Sequence, residues 1–244
     1  MKSILTFFAL FFILSNVFAE NLFKKNYQIQ GDKNLKSQIT SVETEIYRGW
    51  DKDTDNITML EEGYDLMGFS SYVGVYTPPA EAVDFGKQIG ADAALIYDRQ
   101  INEANRATVI KKARENYKKK KLDSEGKIEE IVIQEEDLVD PNVKYDFYVS
   151  FWAKLPKPLF GTHLISFKEG DERNKDGGLF VVAVIKESAA FNAGIQRKDL
   201  ILKINNIELS EPSDFIKELV ANKGKEVEIE FKRNEETKKI KVQI

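Results

Sequence analysis

Four carboxylates near residue 50 have the spacing of a cation loop. The stretch "DKDTDNITMLEE" sets Asp51, Asp53, Asp55 and Glu62 at positions 1, 3, 5 and 12, where a calcium-binding loop carries oxygen ligands. Asn56 stands where such a loop needs glycine, and apolar Ile57 falls one position early. A strand-like run, not a long helix, follows Glu62. The plainer reading is an acidic turn in which Asp55 caps a short helix and Glu61 and Glu62 face solvent. No cofactor is expected, with calcium at these four residues as the alternative.

Other chemistry is sparse. The chain has no cysteine, which excludes disulfides, a thiolate nucleophile, thiolate metal sites and a lipid-anchored cysteine. Its single histidine is His163. A serine nucleophile needs a positioned base, and no Gly-x-Ser-Gly turn is present; "GFSSYVG" spaces its glycines differently. One histidine without cysteine also makes a poor zinc site. The sequence therefore nominates no catalytic residue, and a non-enzyme is expected. The connection "SSYVGVYTPP", residues 70–79, is where an unfamiliar enzyme would place a site, but it lacks a glycine-rich phosphate pattern. The basic run "YKKKK", Tyr117–Lys121, lies beside acidic "EEIVIQEED" and reads as a solvated, internally balanced arm.

These residues must be positioned by a chain that begins with a leader. Met1-Lys2-Ser3 is followed by an apolar run from Ile4 to Leu14, and Val17 and Ala19 sit at the small-residue positions before a cut. Residues 1–19 read as a secretory signal peptide, too short for a comfortable membrane span. Its loss removes one positive charge, Lys2, and takes the formal net charge from -4 to -5. That mildly acidic surface, with 31% charged residues of both signs, offers no footprint for nucleic acid. A periplasmic or secreted bacterial protein is expected, with no stable span after cleavage.

The rest divides near Pro156, where "FWAKLPKPLFG" carries two prolines after a strand-like run. Residues 20–154 read as a small α/β domain of unknown role. A helix ends at Gly63 and a strand runs from Tyr64 to Ser70. Pro79 then opens a helix with Ala82, Val83, Phe85 and Ile89 near one face, Gly90 closes it, and "DAALIYD" is a buried strand. This order is a βαβ unit, with parallel neighbours expected. "RATVIKKARENYKKKKLD" reads as a charged helix or arm and "KIEEIVIQEED" as a strand. "VKYDFYVSFWAKL" alternates, with Tyr145, Phe147, Val149 and Phe151 on one side.

Residues 155–244 carry a linked set of signals. "THLISF" is a strand, "GLFVVAVIKES" a buried strand, and "SAAFNAGI" a short helix ending at Gly194. "RKDLILKINNIEL" is a strand with an Asn205-Asn206 turn. "SEPSDFIKELVANKGK" is a helix with Ser210 as cap and Pro212 in its first turn, and a hairpin turning at Arg233–Glu236 closes the chain.

This order, over about 85 residues, resembles a bacterial PDZ domain of the kind found in HtrA-type proteases. Ala193-Gly194 and Asp199 match the family string, while Ser188-Ala189-Ala190 replaces Ser-Pro-Ala, and Lys198 and Asn206 stand where glycines are common. The resemblance implies a partly open β-barrel with two helices. It also implies a groove in which a peptide adds as a strand. The loop "PLFGT" would offer backbone N–H groups to a terminal carboxylate, with Leu159, Phe160, Gly161 and Thr162 around it and His163 and Leu164 following. Thr162 is polar where the family has an apolar residue. The helix would face the groove with Ile216 and Val220 or with Phe215 and Leu219; size favours the second pair as core.

The fold class expected is thus mixed α+β and α/β. The function expected is an exported, non-enzymatic protein that binds a peptide or protein tail in the cell envelope. The alternatives are an envelope adaptor with a self-occupied groove and an enzyme using residues 70–79.

Overall fold

The computed structural model describes residues 20–30, 35, 43–102, 142–168, 170–172, 175 and 177–244. The leader, the charged arm and the strand expected in "KIEEIVIQEED" lie outside these residues. The described chain is a mixed α and β fold with five helices, arranged around two sheets.

The first unit comprises α1 (Leu22–Lys25), β1 (Tyr27–Ile29), β2 (Glu45–Arg48), α2 (Lys52–Glu61), β3 (Tyr64–Gly74), α3 (Pro79–Ile89), β4 (Ala93–Gln100) and β5 (Tyr145–Lys154). Its sheet has the order β1-β3-β5-β4-β2. The two-residue period of the strands sends side chains to opposite faces. Ala94, Ile96, Phe147, Val149 and Phe151 meet Phe23 of α1 and Ala82 and Phe85 of α3. Ala93, Leu95 and Trp152 meet Met59 of α2 on the other face.

The expectation of adjacent parallel strands is corrected here. β3 and β4 both pair antiparallel with β5, so they run parallel to each other with β5 between them. The adjacent parallel pair is β2 with β4. Chain order told of strand, helix, strand; it could not tell that a later, largely buried strand takes the central place. β3 also continues past Ser70, paired as far as Gly74 with Tyr145.

The cap of α2 differs from expectation too. Asp51, extended at φ -132° and ψ 115°, is the N-cap and accepts from Thr54 N. Asp55 lies inside the helix and folds back to accept from Trp50 N (2.7 Å) and Asp51 N (3.1 Å).

The second unit comprises β6 (Thr162–Ile165), β7 (Leu179–Val184), α4 (Ala189–Asn192), β8 (Leu200–Ile204), β9 (Ile207–Glu208), α5 (Pro212–Ala221), β10 (Glu226–Arg233) and β11 (Glu236–Gln243). The sheet runs β11-β10-β8-β7-β6, with β9 paired to β8, and does not close into a barrel. Phe160, Leu179, Val181, Ile201, Phe215 and Ile229 fill its core. The two-residue turns Asn205-Asn206 and Asn234-Glu235 have positive φ at both residues, which suits right-twisted hairpins. Lys198 also adopts φ 72°. The cap of α5 is Glu211, not Ser210: the Asp214 carboxylate accepts from Glu211 N and from the Ser210 hydroxyl. Buried Asp199 is held by Arg233 Nε at 2.7 Å and Nη2 at 2.6 Å.

Candidate functional site

β6 is an edge strand. Among the described residues its one sheet partner is β7, and its open side faces α5 across a groove of about 350 Å³. Unpaired backbone groups along such an edge are a template for another strand. The groove is mainly apolar. Leu159, Phe160, Leu164, Phe215, Ile216 and Leu219 line it, together with Gly161, Thr162, His163 and two prolines, Pro158 and Pro212.

The loop before β6 has an asymmetric hydrogen-bond pattern. The Phe160 carbonyl accepts from Ala190 N at 2.9 Å and the Gly161 carbonyl from Ile185 N at 2.9 Å. Among the described residues, the amides of Leu159, Phe160 and Gly161 donate to no acceptor. The loop is therefore anchored by its carbonyls and keeps three N–H donors at one end of an apolar groove, an arrangement that suits an anion. Gly161 makes the turn possible. Its φ is +96°, and a Cβ there would lie 2.2 Å from Ser188 Cβ.

Of the residues nominated from sequence, Leu159, Phe160, Gly161, Thr162, His163, Leu164 and Ile216 line this one groove. Val220 is 60% exposed and is not among its lining residues. Phe215 and Leu219 are buried as the size argument held, and they also form the groove's floor. One helix face thus serves as core and as pocket wall at once, which the choice between two i, i+4 pairs did not allow for.

His163 ties the groove to the first unit. Its ring lies beside the Leu60 carbonyl at the end of α2, and among the described residues its Nε2 is buried without a partner. Burial holds the imidazole below its usual value, while the Asp65 carboxylate and the Leu60 carbonyl pull the other way. Nearby, Lys186 N donates to the Glu61 carbonyl at 2.8 Å, and the Lys186 ammonium pairs with Glu62.

The calcium candidates do not converge. Asp51, Asp53 and Asp55 lie at the start of a helix, and Glu62 lies at its far end, roughly 10–16 Å further along the axis at 1.5 Å per residue. Asp51 is committed to Thr54 N, Asp55 to the Trp50 and Asp51 amides, and Glu62 to Lys186. Among the described residues no group of three such side chains could hold a metal ion. Residues 70–74 of the expected 70–79 connection belong to β3.

The profile of the PDZ domain family matches residues 164–244. No curated protein matches the chain. Among solved structures, the HtrA3 PDZ domain bound to a phage-derived ligand (FGRWV) is 21% identical. The match covers 34% of this chain and 81% of that one, with a TM-score of 0.32. HtrA-type protease AlgW with decapeptide is 14% identical over 46% of this chain and 39% of that one, with a TM-score of 0.31. Among the described residues no helix is long and apolar enough to cross a membrane. With its family profile, its strand order and its groove between β6 and α5, the stretch from residue 164 to residue 244 is a PDZ domain.

Proposed function

We propose that this protein is an exported, non-enzymatic binder that captures the free C-terminus of a protein tail in the cell envelope. The tail adds as a strand to the open edge of β6. Backbone hydrogen bonds give affinity, and the pocket of Phe160, Leu164, Phe215 and Leu219 selects an apolar side chain. The terminal carboxylate meets the amides of Leu159, Phe160 and Gly161. The observation that carries this reading is those three spare donors at the mouth of an apolar groove beside an unpaired strand. Export to the periplasm or beyond rests on the leader-like pattern of residues 1–19. The reading as a non-enzyme is supported by the sole histidine, which is half-buried beside the Leu60 carbonyl with its Nε2 turned away from solvent.

The test is calorimetry on the full chain with peptides selected from a library displaying random free C-termini. Saturable binding that disappears when the same peptide is C-terminally amidated supports carboxylate capture. Equal binding of both forms would sink it.

A further inference from the structure

We propose that the first unit holds a second binding site, for a neutral saccharide, in the cleft at the carboxyl ends of the parallel strands β2 and β4. The cleft measures about 640 Å³, within the roughly 300–1,000 Å³ of small-molecule sites. Trp50, on the β2–α2 connection, lines it while 96% exposed, and the rings of Tyr97 and Tyr148 form another wall.

The connection that carries Trp50 is fixed in place. Gly49 N donates to the Ile96 carbonyl at 2.9 Å, and a Cβ on Gly49 would lie 2.2 Å from the Tyr97 ring. One oxygen of Asp55 collects three donors: Trp50 N, Asp51 N and the Tyr97 hydroxyl at 3.0 Å. The carboxylate that the sequence offered to calcium is the organiser of this loop. Burial, followed by the bond to Asp55, raises the Tyr97 phenol well above its usual range, so it remains a protonated donor.

The charges of the cleft select the ligand class. Arg48, Lys52 and Arg99 face Asp51, Asp53, Asp98 and Asp146, three cations against four carboxylates. The cations are already engaged: Arg48 with Asp98, Arg99 with Asp146 at 3.3 Å, and Lys52 with its ammonium 3.8 Å from the centre of the Tyr148 ring. An anion would meet four carboxylates, and a cation three positive groups. An apolar ligand would take the two ion pairs and the carboxylates of Asp51 and Asp53 out of water with nothing to replace it. A pyranose ring fits what remains. Its C–H face stacks on the amphipathic indole and phenol rings, and each hydroxyl can both donate to a carboxylate and accept from a guanidinium.

The full chain contains two tryptophans, and Trp152 is only 1% exposed, so a change in emission on ligand addition reports Trp50. The probes are maltotriose, cellotriose and tri-N-acetylchitotriose, with inorganic phosphate as the anionic control. At least one saccharide is expected to give a saturable blue shift. Trp50→Ala should weaken that binding about tenfold or more by isothermal calorimetry, with an unchanged circular dichroism spectrum. Asp53→Asn should weaken it with the emission of free protein unaltered. The proposal is overturned if no saccharide shifts the emission at roughly 10 mM, a level that would reveal even a millimolar site. It is equally overturned if binding survives Trp50→Ala or if phosphate binds more tightly than any saccharide.

Discussion

Replacing Gly161 by alanine should destabilise the PDZ domain strongly, through the backbone and through packing. Two costs add. A non-glycine residue at φ +96° carries backbone strain of about 1–3 kcal/mol. The new methyl group would also stand 2.2 Å from Ser188 Cβ and 2.4 Å from its hydroxyl. Ser188 is 1% exposed and caps α4 through Phe191 N, so it has nowhere to retreat. Overpacking of this kind costs about 1–3 kcal/mol. The sum, about 2–6 kcal/mol, is a large share of the 5–15 kcal/mol that a domain typically has. Gly194→Ala isolates the steric part. Gly194 has φ +80°, yet a Cβ there meets nothing within 4 Å, so only the backbone cost applies. Urea unfolding should be followed by circular dichroism, because Trp50 and Trp152 both lie in the first unit and are blind to this domain. Gly161→Ala is expected to exceed Gly194→Ala by about 1–3 kcal/mol, and adding Ser188→Gly should recover most of that difference. Equal costs for the two alanine variants would refute the packing account of this loop.

Other outcomes follow from the same geometry. Arg233→Ala leaves the Asp199 carboxylate, 1% exposed, without its cation, and should destabilise the domain by about 3 kcal/mol in urea unfolding. Ile216→Asp should weaken peptide capture about tenfold or more with the fold intact, since the residue is 59% exposed yet lines the groove; Val220→Asp should leave affinity unchanged by calorimetry. The His163 imidazole is held below 6.5, so folding favours the neutral ring. Its contribution is fully present above pH 6.5 and is lost as the pH falls from there through the folded-state value, at up to about 1.4 kcal/mol per pH unit. His163→Gln should flatten that slope between pH 6.5 and 5, measured by urea unfolding at each pH.

The second unit was legible because its signals are local. Paired turn residues, a buried strand, a small-residue helix and an amphipathic helix each declare themselves within a dozen residues, and their order carries the rest. The first unit was less so, because its topology depends on β5 entering between β3 and β4 from far along the chain. Asp51, Asp53 and Asp55 looked like a ligand series since helix caps and cation loops use the same residues at similar spacing; only the backbone shows Asp51 capping and Asp55 folding back. The dual role of Phe215 and Leu219 had no sequence signal, because a helix at the rim of an open sheet can face core and groove with one stripe. Trp50 went unread for a related reason. A lone tryptophan is ordinarily core, and nothing in "RGWDKD" tells that this one is almost wholly exposed beside two tyrosine rings.

Strand addition at β6 is best tested by amide hydrogen exchange of the full chain, with and without a saturating library-selected peptide bearing a free C-terminus. Alternate amides between Thr162 and Ile165 should become protected, together with those of Phe160 and Gly161, while the amides of β10 and β11 exchange as before. Tight peptide binding with no added protection on β6 would place the ligand elsewhere and contradict the account.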